Sequence, residues 1–139
     1  MTATEYIDSL DKDDFRIERC KRKIERLEVL SLNLNSKPFD NDRVKSSGSK
    51  DRIGDLAVKI LEEKEKLAKL IDDTEGKREY IVDQIDSMDN LDYSKILYYR
   101  HIEKMRYEDI ADMLDLAPKT IRNNHTAALK TLNRTFIMP

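Results

Sequence analysis

The chain has little of what builds ligand pockets, covalent cross-links and sharp turns. Its 139 residues include no Trp, one Cys, three Gly and three Pro, and aromatic residues make up 6%. Few aromatics disfavour a deep aromatic-lined ligand pocket, and the single Cys20 excludes an intramolecular disulfide. The scarcity of Gly and Pro, beside 39% charged residues, indicates long solvated helices rather than a large compact core.

Apolar runs are also short. None approaches the roughly 20 residues that a membrane-spanning helix needs. The N-terminus MTATEYIDSLDKDD begins acidic and has no apolar segment typical of a signal peptide. Because a lone cysteine fits a reducing compartment, we expect a cytoplasmic protein with no membrane partner.

Catalytic and metal-binding motifs are missing as well. There is no Gly-rich phosphate loop and no nucleophile elbow, and the Asp and Glu residues are dispersed on helix faces. The only histidines, His101 and His125, lie outside any CxxC or HExxH spacing. For His125 a half-buried packing role is favoured over metal ligation or pH sensing. We therefore expect that the protein is not an enzyme and that it binds neither a cofactor nor a metal ion.

What the chain does have is charge of both signs, unevenly placed. The net charge is -2, but residues 1–91 carry 18 basic and 22 acidic side chains, whereas residues 117–139 carry four basic and no acidic ones. A basic end on an acidic protein predicts one surface that meets phosphate while the rest does not.

The first 88 residues are predicted to form a helical oligomerisation segment. Residues 4–34 form one helix, with Asp8 to Asp14 at its start, where the helix dipole favours anions. Residues 35–50 combine Pro, Gly and Ser and read as a loop. A second helix over residues 51–87 is interrupted in pattern at Glu63 and Lys77, and Gly76 is a potential bend. The first helix carries a heptad seam of Ile17, Cys20, Ile24, Leu27, Ser31 and Leu34, and the second carries a stripe of Ile53, Leu56, Ile60, Leu67, Leu70, Thr74, Ile81, Ile85 and Met88.

Two amphipathic helices joined by a loop suggest an antiparallel hairpin. Such a hairpin buries too little apolar surface to stand alone. It either pairs with a second copy or packs against the C-terminal residues. We expect a homo-oligomer, with a dimer favoured, although the interrupted seam does not distinguish a dimer from a tetramer.

Residues 89–139 are predicted to form a DNA-binding domain of three helices. Ile110, Ala111 and Leu114 give a short helix from Tyr107 an apolar face, and the small Ala111 permits a steep crossing. Pro118 opens another helix, whose apolar positions are Ile121, Ala128, Leu129 and Leu132. That helix carries Lys119, Arg122, Lys130 and Arg134 and no acidic residue, a pattern typical of a helix-turn-helix whose second helix enters the DNA major groove. The predicted fold class is therefore all-α.

The segment from Leu97 to Asn123, with its Tyr-Glu-Asp-Ile-Ala block and Lys-Thr-Ile-Arg helix start, resembles region 4 of sigma-70-type factors, the module that reads the upstream promoter element. The whole chain looks similar to ArpU-like late transcription regulators of phages and prophages. The resemblance implies regulation of phage or prophage genes. Nothing resembles the sigma segments that bind core polymerase or melt promoters, so a full sigma factor is not expected.

The resemblance also implies site residues. Lys119, Thr120, Arg122 and Asn123 fall where region 4 places base-reading side chains; Arg can read guanine and Asn adenine, and the alternative is phosphate contact alone. Thr126, Lys130 and Arg134 are expected to contact phosphate, with solvated surface charge as the alternative for the two cations. Asn124 is a weaker candidate. Arg100, Lys104 and Arg106 are more typical of plain surface charge than of a phosphate clamp. The tyrosines Tyr93, Tyr98, Tyr99 and Tyr107 fit packing better than base stacking.

Three residues depart from the family pattern. Arg106 stands where Ser or Thr often caps the first helix, and Asp115 stands in the turn where Gly is usual. Ala117 replaces a Ser or Thr cap of the second helix, a change that costs about 1 kcal/mol. Pro118 compensates in part as a favourable first helical residue.

The expected function is sequence-specific transcriptional regulation, with double-stranded DNA as partner. Two alternatives stay open. One is a DNA-packaging protein similar to a phage small terminase subunit, which would assemble as a larger ring. The other is an interaction module that binds RNA polymerase and makes little DNA contact of its own.

Overall fold

A computed structural model describes the backbone of residues 1–36 and 47–139, and the side chains of residues 1–35 and 51–139. Most of these residues are helical and none of them lies in a strand, which confirms the all-α class. The elements are α1 (Ala3–Ser36), α2 (Ser47–Asp86), α3 (Leu91–Leu97), a π-helical turn (Tyr98–Ile102), α4 (Tyr107–Leu114) and α5 (Pro118–Thr135). Within the described ranges, no helix is both long enough and apolar enough to cross a membrane.

The two long helices follow the predicted patterns, with shifted ends. Helix α1 starts at Ala3, so Asp8 to Asp14 lie beyond its first turn, because Tyr6, Ile7 and Leu10 extend its buried face toward the N-terminus. Helix α2 already begins at Ser47 and runs through Gly76 without interruption. Most of the loop predicted for residues 35–50 lies outside the described residues.

Contacts divide the chain into two units. Unit 1 combines Met1–Lys12 with Thr74–Pro139, and unit 2 is Asp13–Asp73. The division falls within both long helices, after Lys12 in α1 and before Thr74 in α2, and the domain boundary expected at residue 88 stays a prediction. The start of α1 and the end of α2 therefore belong with the C-terminal helices.

Unit 1 has a core built from several elements. Its buried cluster includes Ala3, Tyr6, Ile7 and Leu10 from α1, Ile81 and Ile85 from α2, Leu97 from α3, and Ala128 and Leu132 from α5. Tyr6, Tyr80 and Phe136 stack around one another, with ring centroids 5.4–6.1 Å apart. The Asn133 side chain accepts a hydrogen bond from the backbone N–H of Thr4 at 3.1 Å. The last turn of α5 thus satisfies a backbone donor in the first turn of α1.

A second buried cluster in unit 1 holds the C-terminal helices to one another. It consists of Ile96 from α3, Ile110 and Ala111 from α4, and Ile121 from α5. Helix α5 packs against both α3 and α4. The apolar positions Ile110, Ala111 and Ile121 are therefore buried as the sequence pattern predicts.

Unit 2 holds its two helices together with few buried apolar groups. Ile24 and Leu56 are the buried apolar side chains among its described residues. Glu63, which interrupts the apolar stripe in sequence, lies buried in the seam and accepts a hydrogen bond from Lys23 at 3.0 Å. The half-buried Cys20 donates to the Glu63 carbonyl at 3.8 Å. A charged pair thus occupies the middle of this helix–helix seam.

Candidate nucleic-acid interface

The connection between α4 and α5 is short because Asp115 reverses the chain. Asp115 adopts a left-handed conformation with φ 56° and ψ 47°, and the N–H groups of Asp115 and Leu116 both donate to the Ala111 carbonyl. A left-handed residue is a common way to end a helix, and Asp accepts it less readily than Gly. Arg106 and Ala117 precede α4 and α5 without a side-chain cap, as their residue types predict.

Helix α5 has an inner face that fixes its position. Ile121, His125, Ala128 and Leu132 are buried along this face, and their spacing of three and four residues matches the helical period. Leu129 is partly buried beside them and packs against the core of unit 1. The outer face is left exposed as a result.

The residues predicted to contact DNA all lie on α5 and are all exposed. At 3.6 residues per turn, positions 119, 122, 123, 126, 130 and 134 follow one another along one face, and position 120 lies at its edge. The seven residues are Lys119, Thr120, Arg122, Asn123, Thr126, Lys130 and Arg134. Asn124 is partly buried at the flank of this surface, which we call the α5 outer face.

The charged groups of the α5 outer face differ in their partners. Lys119, Lys130 and Arg134 show no ion pair within the described residues. The Thr126 hydroxyl donates to the Arg122 carbonyl at 3.2 Å, so in this arrangement it is left as an acceptor. Three cations without carboxylate partners on one helix face form a favourable surface for phosphate.

Arg122 is held by two consecutive residues of α4. Its Nη2 donates to Oε1 of Glu108 at 3.2 Å, and its Cζ lies 5.6 Å from the centre of the Tyr107 ring. Glu108 was not among the residues that the sequence pattern predicted for this surface. The sequence signal for this contact is weak. Glu108 is an acidic residue at the start of α4 and Arg122 is a basic residue near the start of α5, and the two become neighbours only because these helices cross.

The cations that precede α4 are engaged within the protein. Arg106 forms a two-point ion pair with Asp109, at 3.2 and 3.4 Å. Lys104 pairs with Asp11, and Arg100 donates to the Met105 carbonyl at 3.0 Å while its guanidinium lies over the Tyr107 ring. All three cations therefore have partners within the protein, and their role as surface charge rather than as a phosphate clamp stays a prediction.

His125 is buried on the inner face of α5 and touches the other histidine. Its Nε2 lies 2.8 Å from Nε2 of His101, and its Nδ1 lies 3.4 Å from the Tyr107 hydroxyl. Burial lowers the pKa of His125, and burial together with the neighbouring His125 lowers the pKa of His101 to about 4. Among the described residues, no group of three or more His, Cys, Asp or Glu side chains is arranged to hold a metal ion.

The fold and this surface define an all-α protein whose last helix presents an exposed basic face. Residues 33–133 match the model of a family described as "Protein of unknown function (DUF1492)", and the chain belongs to this family. The matched range includes α2, α3 and α4 and all but the last two residues of α5. No curated protein and no solved structure matches the chain significantly.

Proposed function

We propose that this chain is a sequence-specific DNA-binding regulator of transcription. Helices α4 and α5 would act as a helix-turn-helix, with α5 as the helix that enters the major groove. The observation that carries the proposal is the α5 outer face: its exposed side chains include Lys119, Arg122, Lys130 and Arg134, and the helix contains no acidic residue. The buried inner face of α5 gives this surface a fixed orientation.

The two ends of the α5 outer face would have different roles. Arg122 and Asn123 lie in the first turns of α5, the part of a recognition helix that contacts base edges. An Arg guanidinium can donate twice to guanine, and an Asn amide can bond to adenine. Lys130 and Arg134 lie further along, where contact with phosphate would fix the register without reading the sequence.

The biological setting is proposed from the resemblance of Leu97–Asn123 to sigma region 4. On that basis the target genes would be phage or prophage genes, in the manner of ArpU-like late regulators. Direct contact with RNA polymerase would be part of the same mechanism if the fold serves both roles. No feature of the described structure favours the DNA-packaging alternative.

We further propose that the regulator is a homodimer joined through unit 2. This unit buries few apolar side chains, yet large apolar residues stay exposed on both of its helices, which is unfavourable for an isolated monomer. The exposed residues are Phe15, Val29, Leu30, Leu32, Val58, Leu61 and Ile71. A two-fold pairing of these surfaces would present two α5 helices to two half-sites of one operator.

The experiment that tests DNA recognition is selection of bound duplexes, from a random library and from fragmented host and prophage DNA. We expect a defined sequence to be enriched by the wild-type protein. Arg122→Ala should lose at least about fivefold in affinity for it, since a bidentate base contact contributes roughly 1–3 kcal/mol. Arg26→Ala removes an exposed arginine from α1 and should bind as the wild type does. Enrichment of no sequence, or wild-type affinity in Arg122→Ala, would refute the proposal.

The dimer is tested by sedimentation equilibrium of the full chain. We expect a dimer for the wild type and a monomer for Leu61→Lys, because a buried unpaired charge opposes association. Glu62→Lys changes charge at the neighbouring exposed position and serves as the control. A wild-type monomer would refute the dimer, and a ring of eight or more subunits would favour the packaging alternative instead.

A further inference from the structure

We propose that Glu108 is a specificity-determining residue of the α5 outer face, which acts by holding Arg122 in position. This inference rests on the proposed DNA-binding function. Glu108 itself lies on α4 and is not among the residues that the sequence pattern placed at the interface.

Glu108 and Arg122 form an ion pair that joins α4 to α5. Glu108 Oε1 and Arg122 Nη2 are 3.2 Å apart, and both side chains are about half exposed, at 55% and 54%. The Tyr107 ring restrains the guanidinium from a second direction. A long, flexible arginine at the start of α5 is thereby held by two points on the neighbouring helix.

The guanidinium of Arg122 keeps N–H donors for a ligand while it is paired with Glu108. Nη2 is the guanidinium nitrogen of Arg122 that has a protein partner within the described residues. Since Nη2 carries two N–H groups and Glu108 accepts one, the second N–H of Nη2 and the N–H groups of Nη1 remain as donors. Arg122 can therefore pair with Glu108 and donate twice to a guanine at the same time.

The Glu108–Arg122 pair affects the specificity of DNA binding more than its affinity. A free arginine at a DNA surface can turn to the nearest phosphate, which is the same in every sequence. Glu108 restricts that movement, and its carboxylate repels a phosphate brought close to it. Binding to unrelated DNA is weakened, while a correctly placed guanine still finds its donors. Discrimination by such a repulsive element is a general route to specificity.

The neighbouring acidic residue provides a matched control. Asp109 lies in the same first turn of α4 and is also exposed, but it pairs with Arg106 at 3.2 Å and not with a residue of α5. Glu108→Gln and Asp109→Asn remove the same charge from the same turn. Glu108→Gln removes the carboxylate partner of Arg122, whereas Asp109→Asn leaves that partner in place.

The experiment measures the affinity of each full-length variant for the duplex selected by the wild type and for a scrambled duplex of equal length. Glu108→Gln should bind the scrambled duplex several-fold more tightly. Its ratio of specific to nonspecific affinity should fall about tenfold, within the range of one bidentate base contact. Asp109→Asn should change both affinities by the same factor and leave the ratio as in the wild type. Circular dichroism verifies that both variants remain folded.

Several results would overturn the inference. It fails if Glu108→Gln shifts both affinities equally, because Glu108 would then be a simple surface charge. It also fails if the ratio still falls when Glu108→Gln is made in the Arg122→Ala background, where no arginine is left to hold. Both results leave the proposed function intact provided that the wild type selects a sequence. If the wild type selects none, the proposed function fails and this inference falls with it.

Discussion

His101 and His125 face each other with their Nε2 atoms 2.8 Å apart, which joins the π-helical turn to the inner face of α5. A hydrogen bond at this distance requires one Nε2 to carry a proton and the other to accept it. The pair can therefore hold one shared proton between the rings, and it cannot hold two without separating. The rings are also tilted against each other, with centroids 4.9 Å apart.

This contact predicts a stability that depends on pH. Burial lowers the pKa of both histidines, and that of His101 to about 4, with Arg100 and Lys104 adding to the effect on His101 and Asp11 opposing it. Both histidines have a lower pKa in the folded protein than in the unfolded chain, where the value is about 6.5. Below about pH 6.5 the unfolded chain therefore binds more protons than the folded protein. The contribution of the two histidines to the free energy of unfolding should be fully present well above that pH and should decrease toward pH 4.

Thermal unfolding at pH 7.5 and pH 5 measures this effect. We expect the wild-type Tm to be at least about 3 °C lower at pH 5, which corresponds to roughly 1 kcal/mol for a chain of this size. His101→Gln removes one titrating group and should show a smaller decrease over the same interval. An equal decrease in both proteins would mean that other groups cause the pH dependence.

Substitutions of the two members of the Lys23–Glu63 pair are predicted to have opposite effects on the Tm. Its hydrogen bond with Lys23 is the main cause that lowers the pKa of the Glu63 carboxyl. Lys23→Met would leave the carboxylate in the seam without its nearest partner, so the Tm should fall. Glu63→Met would replace the charged group by an apolar one of similar volume, and we expect an equal or higher Tm.

An exposed pair on the same two helices is the control. Lys64 and Glu28 lie 3.1 Å apart with about half of each side chain exposed, so Lys64→Met should change the Tm little. The Tm values of the three variants and of the wild type, measured by thermal unfolding, test these expectations. A Lys23→Met protein as stable as Lys64→Met would show that the buried carboxylate does not depend on Lys23, because Lys66, whose Nζ lies 3.7 Å from the same Glu63 oxygen, is then a sufficient partner.

Replacement of the buried Thr74 by an apolar residue is predicted to stabilise the folded protein. Its side chain is fully buried on α2, and its hydroxyl oxygen has no hydrogen-bond partner within the described structure. Thr74→Val keeps the shape and removes the unsatisfied group, so the free energy of unfolding in urea should rise by about 1 kcal/mol. Thr131 on α5 donates to the Ala127 carbonyl at 3.0 Å, and Thr131→Val should give no such gain. Equal effects at the two positions would contradict this account.

Much of α5 could be predicted from sequence because it depends on local rules. The period of its apolar residues fixed which face is buried, and the exposed outer face followed from it. The turn at Asp115 and the uncapped Ala117 were also expected, since turn and cap geometry depends on a few adjacent residues. The seam along α1 was predicted in the same way.

The contacts between distant parts of the chain could not be predicted. The Glu108–Arg122 pair, the His101–His125 contact and the burial of Glu63 each join residues from different elements. Their distances depend on how the helices cross, which periodicity does not specify. The π-helical turn was likewise unexpected, because the residues after Leu97 continue an ordinary helical pattern.

Ala117→Ser tests whether a side-chain N-cap at the start of α5 would stabilise the protein. Ala117 has φ −71° and ψ 145°, the extended conformation of an N-cap residue, but it has no side-chain oxygen to accept an N–H of the first turn. A serine there should raise the free energy of unfolding by about 1 kcal/mol in urea denaturation. Ala127→Ser, in the middle of α5, should instead lower it by a few tenths of a kcal/mol, since Ser is a weaker helix former than Ala. If Ala117→Ser is no more stable than the wild type, then Pro118 and the burial of Ile121 already hold this end of α5, and the absence of a Ser or Thr cap there has no energetic consequence.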